Sequence, residues 1–294
     1  MVPIKYEGDV YRPPSEASSL IIQATLGCSH NRCTFCSMYK EKKFRVRSLE
    51  EIKEDIESVK NLLPRTRRVF LADGNALAIP TEPFLQILQL LDEAFPNLER
   101  ISVYGNPQDL LAKSAAELSQ LKAHKLGIVY LGVESGSSKI LDFIDKGASP
   151  EDMALAARRA KEAGIPLSVT VINGLAGAEG SEEHARETAA LLNKMDPEYL
   201  GLLSLMPVTG TTLNRQFEEG ALTALTPWQL LKEIRLMVEG LSLTNCVFRA
   251  NHASNYLPLK ATLPRDKKQL LEELDHIIEK KNPATLKSEF LRGI

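Results

Sequence analysis

Three of the four cysteines of the sequence lie within nine residues, at Cys28, Cys33 and Cys36. Thiolates bind zinc and the irons of iron–sulfur clusters. A site with three protein thiolates and no fourth nearby keeps one position at which a small molecule can bind the metal. Phe35 precedes the last of the three and adds an apolar surface beside the site. The pattern therefore predicts a reactive iron–sulfur cluster.

This cysteine pattern resembles the signature of the radical S-adenosylmethionine (radical SAM) enzymes, CxxxCxxC in the loop after the first strand of a partial barrel. The sequence keeps the second half of the signature, Cys33 to Cys36, and places four residues between Cys28 and Cys33. One more loop residue is compatible with three flexible thiolates converging on three irons. The segment 130–136 is most similar to the coproporphyrinogen-oxidase-like branch of that superfamily.

The resemblance implies a reaction. Cys28, Cys33 and Cys36 would bind three irons of a [4Fe–4S] cluster, and S-adenosylmethionine would chelate the fourth. One-electron reduction would then cleave S-adenosylmethionine to methionine and a 5′-deoxyadenosyl radical, which abstracts hydrogen from a substrate. The implied partners are a small-molecule or peptide substrate and an electron donor such as flavodoxin or ferredoxin.

The elements that must position these cysteines are short apolar strands that alternate with helices. We expect strands at 20–26, 68–73, 100–104, 127–133, 166–172 and 199–205. The connecting segments have helical patterns, including a capping box at Ser48 and Glu51 and one continuous helix over 109–123. Six such units predict a parallel sheet covered by helices, either doubly wound or a barrel.

The resemblance favours the barrel. It predicts an α/β fold, a partial (β/α)6 TIM-type barrel with a C-terminal helical extension. Residues 1–17 would form an N-terminal arm, residues 18–219 the partial barrel, and residues 220–294 the extension, which would pack on the barrel. Within the extension, the segment 246–249 has the pattern of one further strand.

Polar residues recur where the predicted strands end, which is the edge that carries function in parallel α/β proteins. Taken singly they are ordinary turn residues, and it is the resemblance that implies cofactor contacts for them. It implies contacts to the methionine amino group at a loosely matching turn, an acid after the fourth strand, a ribose contact on the fifth strand and an adenine contact after the sixth. The residues at these places are, in that order, Asp73, Gly74 and Asn75, then Glu134, then Ser168 and Thr170, then Pro207.

Candidates for catalysis and substrate contact follow from position alone. Asn106 ends the third predicted strand, while Arg249 and His252 belong to a polar, aromatic stretch of the extension. A hydrogen-bonded structural turn explains that stretch equally well. Cys246 lies among apolar residues and is expected to be a buried small hydrophobe.

Composition limits the partners and the compartment. The formal net charge of −2 gives no strong nucleic-acid signal and no attraction to an anionic membrane. Clustered cysteines favour a reducing compartment, and no apolar run reaches membrane-spanning length, so we expect a cytoplasmic protein. A basic run between Lys40 and Arg47 is either a solvated loop or a contact to phosphate or carboxylate near the site.

Two alternatives stay open. His30 could complete a Cys₃His zinc site with the three cysteines, which would make the protein a zinc-stapled α/β binding protein. The protein could also be a barrel with degraded chemistry, because the turn at Asp73 matches loosely and the first cysteine spacer is long. Replacing His30 with Ala separates zinc from a cluster, and reductive cleavage of S-adenosylmethionine tests the second alternative.

Overall fold

The fold is that of a computed structural model, which describes residues 4–293 of the chain. Strands and helices alternate through most of it, as the sequence predicts. The strands are β1 (Leu20–Gln23), β2 (Thr25–Leu26), β3 (Arg45–Val46), β4 (Arg68–Ala72), β5 (Arg100–Gly105), β6 (Leu126–Glu134), β7 (Leu167–Asn173), β8 (Tyr199–Ser204), β9 (Cys246–Ala250) and β10 (Leu259–Leu263). The α-helices are α1 (Leu49–Lys60), α2 (Thr81–Ala94), α3 (Pro107–Leu111), α4 (Ala115–Ala123), α5 (Ser138–Phe143), α6 (Pro150–Glu162), α7 (Gly177–Met195), α8 (Thr212–Glu218), α9 (Pro227–Gly240) and α10 (Lys267–Lys280). No helix within residues 4–293 combines the length and the apolar character needed to cross a bilayer.

The chain divides into two compact units. The first comprises the described residues up to Asn31 together with Met38–Leu131 and Arg158–Leu167. The second comprises Arg32–Ser37, Gly132–Ala157 and the described residues from Ser168 onward. The predicted arm, barrel and extension boundaries stay a prediction.

The first unit contains parallel strands in the order β1, β4, β5, β6. The register places Ile22 opposite Leu71, and Val103 opposite Val129. These four side chains are fully buried, as expected for parallel strands that are covered on both faces. A short antiparallel ribbon, in which β2 pairs with β3, encloses the cysteine-containing loop between its two strands.

The second unit continues the parallel pattern with β7, β8 and β9, and β10 runs antiparallel to β9. Helix α9 packs against both α7 and α10. The predicted strand at 246–249 is confirmed as β9. The extension is therefore not purely helical, because its two strands extend the sheet beyond β8.

One predicted helix start is confirmed and one predicted helix is wrong, and helix capping explains both outcomes. The Ser48 hydroxyl accepts from Glu51 N and the Glu51 carboxylate accepts from Ser48 N, which confirms the capping box of α1. The prediction of one continuous helix over 109–123 is wrong, because Ser114 forms a second capping box with Glu117 and starts α4. Ser and Glu at that spacing satisfy the free amides of a new helix more readily than they fit a helix interior.

The strand predicted at 20–26 is also divided, into β1 and β2, at Ala24.

Candidate functional site

The first cysteine lies against the end of β4. Gly27, which precedes Cys28, donates its N–H to Asp73 Oδ2 at 3.1 Å and accepts at its carbonyl from Gly74 N at 3.0 Å. A Cβ on Gly74 would lie 2.8 Å from the Cβ of Cys28 and 2.8 Å from the carbonyl oxygen of Gly27. Only a glycine permits this approach, so Gly74 sets the position of Cys28.

Asp73 is fully buried and holds the loop together. Its Oδ2 accepts from Gly27 N, from Gln23 Nε2 at 3.0 Å and from Lys42 Nζ at 2.9 Å. Its Oδ1 is buried and has no hydrogen-bond partner within residues 4–293. A buried carboxylate oxygen without a donor is costly unless a ligand supplies one. Oδ1 is therefore an acceptor available to a bound group.

Asn75 is also buried, and its side chain connects the cysteine loop to α3. Its Oδ1 accepts from Ser29 N at 2.9 Å, while its Nδ2 donates to Ser29 Oγ at 2.6 Å and to Asp109 Oδ2 at 2.9 Å. Asn106 N donates to the same Asp109 oxygen at 2.7 Å. Burial raises the pKa of Asp109. Since protein groups use both amide atoms of Asn75, a cofactor contact at this residue would come from its backbone.

The basic run after the cysteines is largely paired within the protein. Lys42 reaches Asp73, Arg45 pairs with Glu51 at 2.9 Å, and Arg47 pairs with Asp55 at 2.5 Å. These side chains anchor the loop and the start of α1. Arg45 stays an exposed side chain, as the solvated-loop expectation has it, whereas Lys42 and Arg47 are mostly buried and pair with carboxylates of the protein. A cation that pairs internally gives no composition signal, so sequence reasoning missed the role of Lys42.

Cys33 and Cys36 belong to the second unit and form a tight turn, in which Cys36 N donates to Cys33 O at 3.3 Å. Backbone hydrogen bonds fix the turn from both sides. Thr34 N donates to Ile144 O at 2.9 Å, and Leu213 N, at the start of α8, donates to Thr34 O at 3.0 Å. Phe35 is half-buried within the turn.

The three cysteines of the loop have the chemistry that a thiolate-bound cluster needs. None of Cys28, Cys33 and Cys36 forms a disulfide within residues 4–293, and their side chains are partly exposed, as ligand exchange with an incoming metal requires. Cys246 is buried, and burial raises the pKa of its thiol to about 12, which confirms that it is a buried hydrophobe. Within residues 4–293, no three His, Cys, Asp or Glu side chains are grouped to chelate one metal ion. The cluster ligands therefore stay a prediction.

Glu134 ends β6 in an unusual environment. Its φ of +62° is left-handed, a conformation that is uncommon for non-glycine residues. Its carboxylate accepts from Lys146 Nζ at 2.8 Å, and both side chains are less than 10% exposed, at 9% and 8%. A Cβ on Gly132 would meet Glu134 Oε1, so that glycine makes room for the pair. Lys146 is a second residue that sequence reasoning missed.

A buried polar network follows Glu134 in the second unit. Ser135 Oγ and His184 Nδ1 are 2.9 Å apart, and His184 Nε2 lies 3.8 Å from Glu233 Oε1. Burial lowers the pKa of His184 to about 4 and raises that of Glu233 to about 7. The imidazole is therefore neutral at neutral pH, and the 3.8 Å contact is not an ion pair. Glu233 also accepts from Gly174 N at 2.7 Å, which fixes the loop after β7.

The predicted ribose-contacting residues lie on β7. Ser168 and Thr170 share its partly exposed face. Asn173, at the end of the strand, is fully buried, and neither its Oδ1 nor its Nδ2 has a partner within residues 4–293. Its carbonyl accepts from Leu205 N at 2.8 Å. Pro207 is exposed in the loop that follows β8.

The candidates in the extension have separate surroundings. Arg249 is in β9, within the predicted strand 246–249, and it lines a cavity of about 450 Å³ together with residues of β10 and α10. His252 Nδ1 lies 2.9 Å from Ser254 Oγ, and burial lowers its pKa. Asn255 is structural, because it accepts from Ser204 Oγ at 2.9 Å and donates to Leu202 O at 2.8 Å.

Comparison with known proteins identifies the superfamily to which these features correspond. The family model described as the Radical SAM superfamily matches residues 22–192. A putative methylthiotransferase from Methanocaldococcus jannaschii is 26% identical over 172 residues, which are 56% of this chain and 37% of that protein. An uncharacterized methyltransferase from Pyrococcus horikoshii is 28% identical over 200 residues, 66% of this chain and 40% of that protein. The chain thus spans about two fifths of the length of each.

A solved structure supports the fold. The coproporphyrinogen III oxidase of Escherichia coli, a radical SAM enzyme, aligns with a TM-score of 0.58 and 16% identity over 75% of this chain and 51% of that one. This likeness confirms the predicted α/β class of the partial barrel type. It concerns the fold alone, so the predicted coproporphyrinogen-oxidase-like branch stays a prediction.

Proposed function

Because this chain belongs to the radical SAM superfamily, we propose that it binds a [4Fe–4S] cluster through Cys28, Cys33 and Cys36 and cleaves S-adenosylmethionine reductively. The observation that carries the proposal is the set of three partly exposed cysteines on one loop, inside the segment that the family model matches. When bound, the cluster and S-adenosylmethionine supply a 5′-deoxyadenosyl radical that abstracts hydrogen from a substrate.

The chain's own residues bind and orient these groups. Asp73 Oδ1, which is buried and has no donor among residues 4–293, is the acceptor that we assign to the amino group of S-adenosylmethionine. Gly74 keeps Cys28 close to this carboxylate. Ser168 and Thr170 present hydroxyls for a ribose, and the backbone near Pro207 is assigned to the adenine. Phe35 contributes an apolar surface that helps to exclude water.

Glu134 is assigned a further contact to the cofactor. Its carboxylate pairs with Lys146, and its backbone has a left-handed conformation. Backbone strain of this kind persists where the surrounding structure fixes it, and it clusters at functional sites. Asn106, Arg249 and His252 stay candidates for substrate contact. In this proposal the substrate is a small molecule or a peptide, the electron donor is a protein such as flavodoxin or ferredoxin, and the protein acts in the cytoplasm.

Anaerobic reconstitution with iron and sulfide tests the proposal. We expect a [4Fe–4S] electron paramagnetic resonance signal after reduction, and a change in its shape when S-adenosylmethionine is added. Cys28→Ala should abolish the signal, as should the equivalent changes at Cys33 and Cys36. The matched control is Cys246→Ala, which removes a buried thiol that no metal can reach and should leave the signal intact.

The zinc alternative makes the opposite prediction. Protein isolated with one zinc per chain, no cluster after reconstitution, and loss of that zinc in His30→Ala would overturn the proposal. A cluster that forms but does not support cleavage of S-adenosylmethionine to 5′-deoxyadenosine would indicate a barrel with degraded chemistry.

A further inference from the structure

Lys42 follows the three cysteines in the chain, and its side chain reaches the buried carboxylate of Asp73. Its backbone N donates to Tyr39 O at 3.1 Å, and its Nζ lies 5.5 Å from the centre of the Tyr39 ring. The side chain is only 15% exposed, and its Nζ donates to Asp9 O at 2.5 Å and to Asp73 Oδ2 at 2.9 Å. An ammonium group so placed is a fixed part of the structure and no longer a solvated surface charge.

Two glycines make room for this side chain. A Cβ on Gly8 would lie 2.8 Å from Lys42 Cε, and a Cβ on Gly27 would lie 3.3 Å from Lys42 Cβ and 3.1 Å from Lys42 O. Both glycines have positive φ, at +66° and +70°, which other residues adopt only with strain. The backbone on both sides of Lys42 is therefore shaped to admit its stem.

The hydrogen bonds of Lys42 converge with those of the residue before the first cysteine. Lys42 Nζ and Gly27 N both donate to the same oxygen, Asp73 Oδ2. A buried carboxylate without a cationic partner is unfavourable, and Lys42 is the residue within 4–293 that pairs with Asp73. The ammonium of Lys42 thus pairs with Asp73 at the same oxygen that accepts the amide of Gly27.

We propose that Lys42 is a positioning residue for Cys28, acting through Asp73 and Gly27. The role that we assign to it needs no contact with the cluster or S-adenosylmethionine. By neutralising Asp73 it fixes the peptide group that leads into the first ligand. This inference rests on the proposed function only in what Cys28 would bind, because the positioning itself is a property of the protein without a cluster.

The test measures thiol reactivity in the apoprotein. Alkylation by iodoacetamide is followed at each cysteine by peptide mass spectrometry in the wild type, Lys42→Met and Lys43→Met. Lys43 is the matched control, an exposed lysine next in the chain. In Lys42→Met we expect the rate at Cys28 to rise at least about threefold, since a hydrogen bond to a charged group contributes a factor of this order or more. The rates at Cys33 and Cys36 should not change, nor any rate in Lys43→Met.

A second variant separates positioning from general stability. In Lys42→Met with Asp73→Asn, the neutral amide needs no counter-ion and its oxygen still accepts from Gly27 N, so protection of Cys28 should return. Equal increases at all three cysteines in Lys42→Met would show a merely structural role and overturn the proposal, as would no change at Cys28. If Lys42→Met does not fold, the double variant decides. Its Cys28 must then be as protected as in the wild type, and reactivity equal to that of urea-unfolded protein overturns the inference.

Iron binding supplies an independent readout. After reconstitution, Lys42→Met should retain less iron than Lys43→Met, and the double variant should recover. A wild type that forms no cluster would refute the proposed function but leave the alkylation result intact. A wild type that forms the cluster, with unchanged alkylation in Lys42→Met, would refute only the role of Lys42.

Discussion

The ion pair between Glu134 and Lys146 gives the sharpest test of how the second unit holds its site. The charges are 2.8 Å apart and both side chains are about nine-tenths buried. At an effective dielectric constant of about 20, such charges attract each other by about 6 kcal/mol. Removing one partner leaves the other buried and unpaired, which costs about 3–5 kcal/mol. Removing both charges leaves no such penalty.

We therefore expect Lys146→Met and Glu134→Gln each to lower the free energy of unfolding by about 3–5 kcal/mol, and the double variant by less than about 2 kcal/mol. Urea unfolding followed by circular dichroism measures all four proteins. The slope of the unfolding free energy against urea concentration should be the same for all four proteins, because none of the changes alters the buried surface greatly. Lys139→Met, which removes a lysine with an 82% exposed side chain, is the control and should change stability by less than about 0.5 kcal/mol.

Additive costs in the double variant would refute this reasoning, since they would mean that the two charges do not interact. Single-variant costs below about 1 kcal/mol would show that the pair is hydrated and its burial overstated. Either outcome would also remove the argument that Lys146 fixes the carboxylate of Glu134.

Three further outcomes follow from other parts of the structure. Gly74→Ala should displace Cys28, lower iron retention after reconstitution and cost about 1–3 kcal/mol in urea unfolding, because the new methyl group overlaps its neighbours. Burial raises the pKa of Glu233 from 4.5 to about 7, so its contribution to stability is full below about pH 4.5 and is lost as the pH rises through 7. The stability of the wild type relative to Glu233→Gln should fall by on the order of 3 kcal/mol across that range, measured by urea unfolding at each pH. Arg292→Met should raise hydrogen exchange in the loop 251–256 about tenfold, since the guanidinium donates to Ser254 O at 2.6 Å.

Each of these has a matched control. Gly201→Ala introduces a methyl group whose nearest neighbour is 3.7 Å away and should retain iron. Glu239→Gln changes an exposed carboxylate, and the difference in stability between this variant and the wild type should not depend on pH. Arg265→Met, at an arginine with a 74% exposed side chain, should not change exchange in the loop. An effect in a control equal to that in its partner would contradict the corresponding explanation.

The sequence predicted the features that depend on local pattern. Alternating apolar runs predicted the strands and the α/β class, and the three cysteines predicted the superfamily that the family model confirms. Capping at Ser48 set the start of α1. The same kind of signal at Ser114 was present in the sequence and was missed, which is why one helix was expected where the chain forms two.

The tertiary structure decided which polar side chains are free and which are used within the protein. Asp73 and Asn75 are close in the sequence and similar in type. In the described part of the chain, however, Asp73 Oδ1 has no hydrogen-bond partner, whereas both amide atoms of Asn75 bind Ser29 or Asp109. Lys42 and Lys43 differ in the same way, because only Lys42 reaches a buried carboxylate, 31 positions further along the chain. The physical reason is that composition and spacing record what a side chain is able to do, whereas the partner that satisfies a buried charge comes from a distant segment and exists only once the chain has folded.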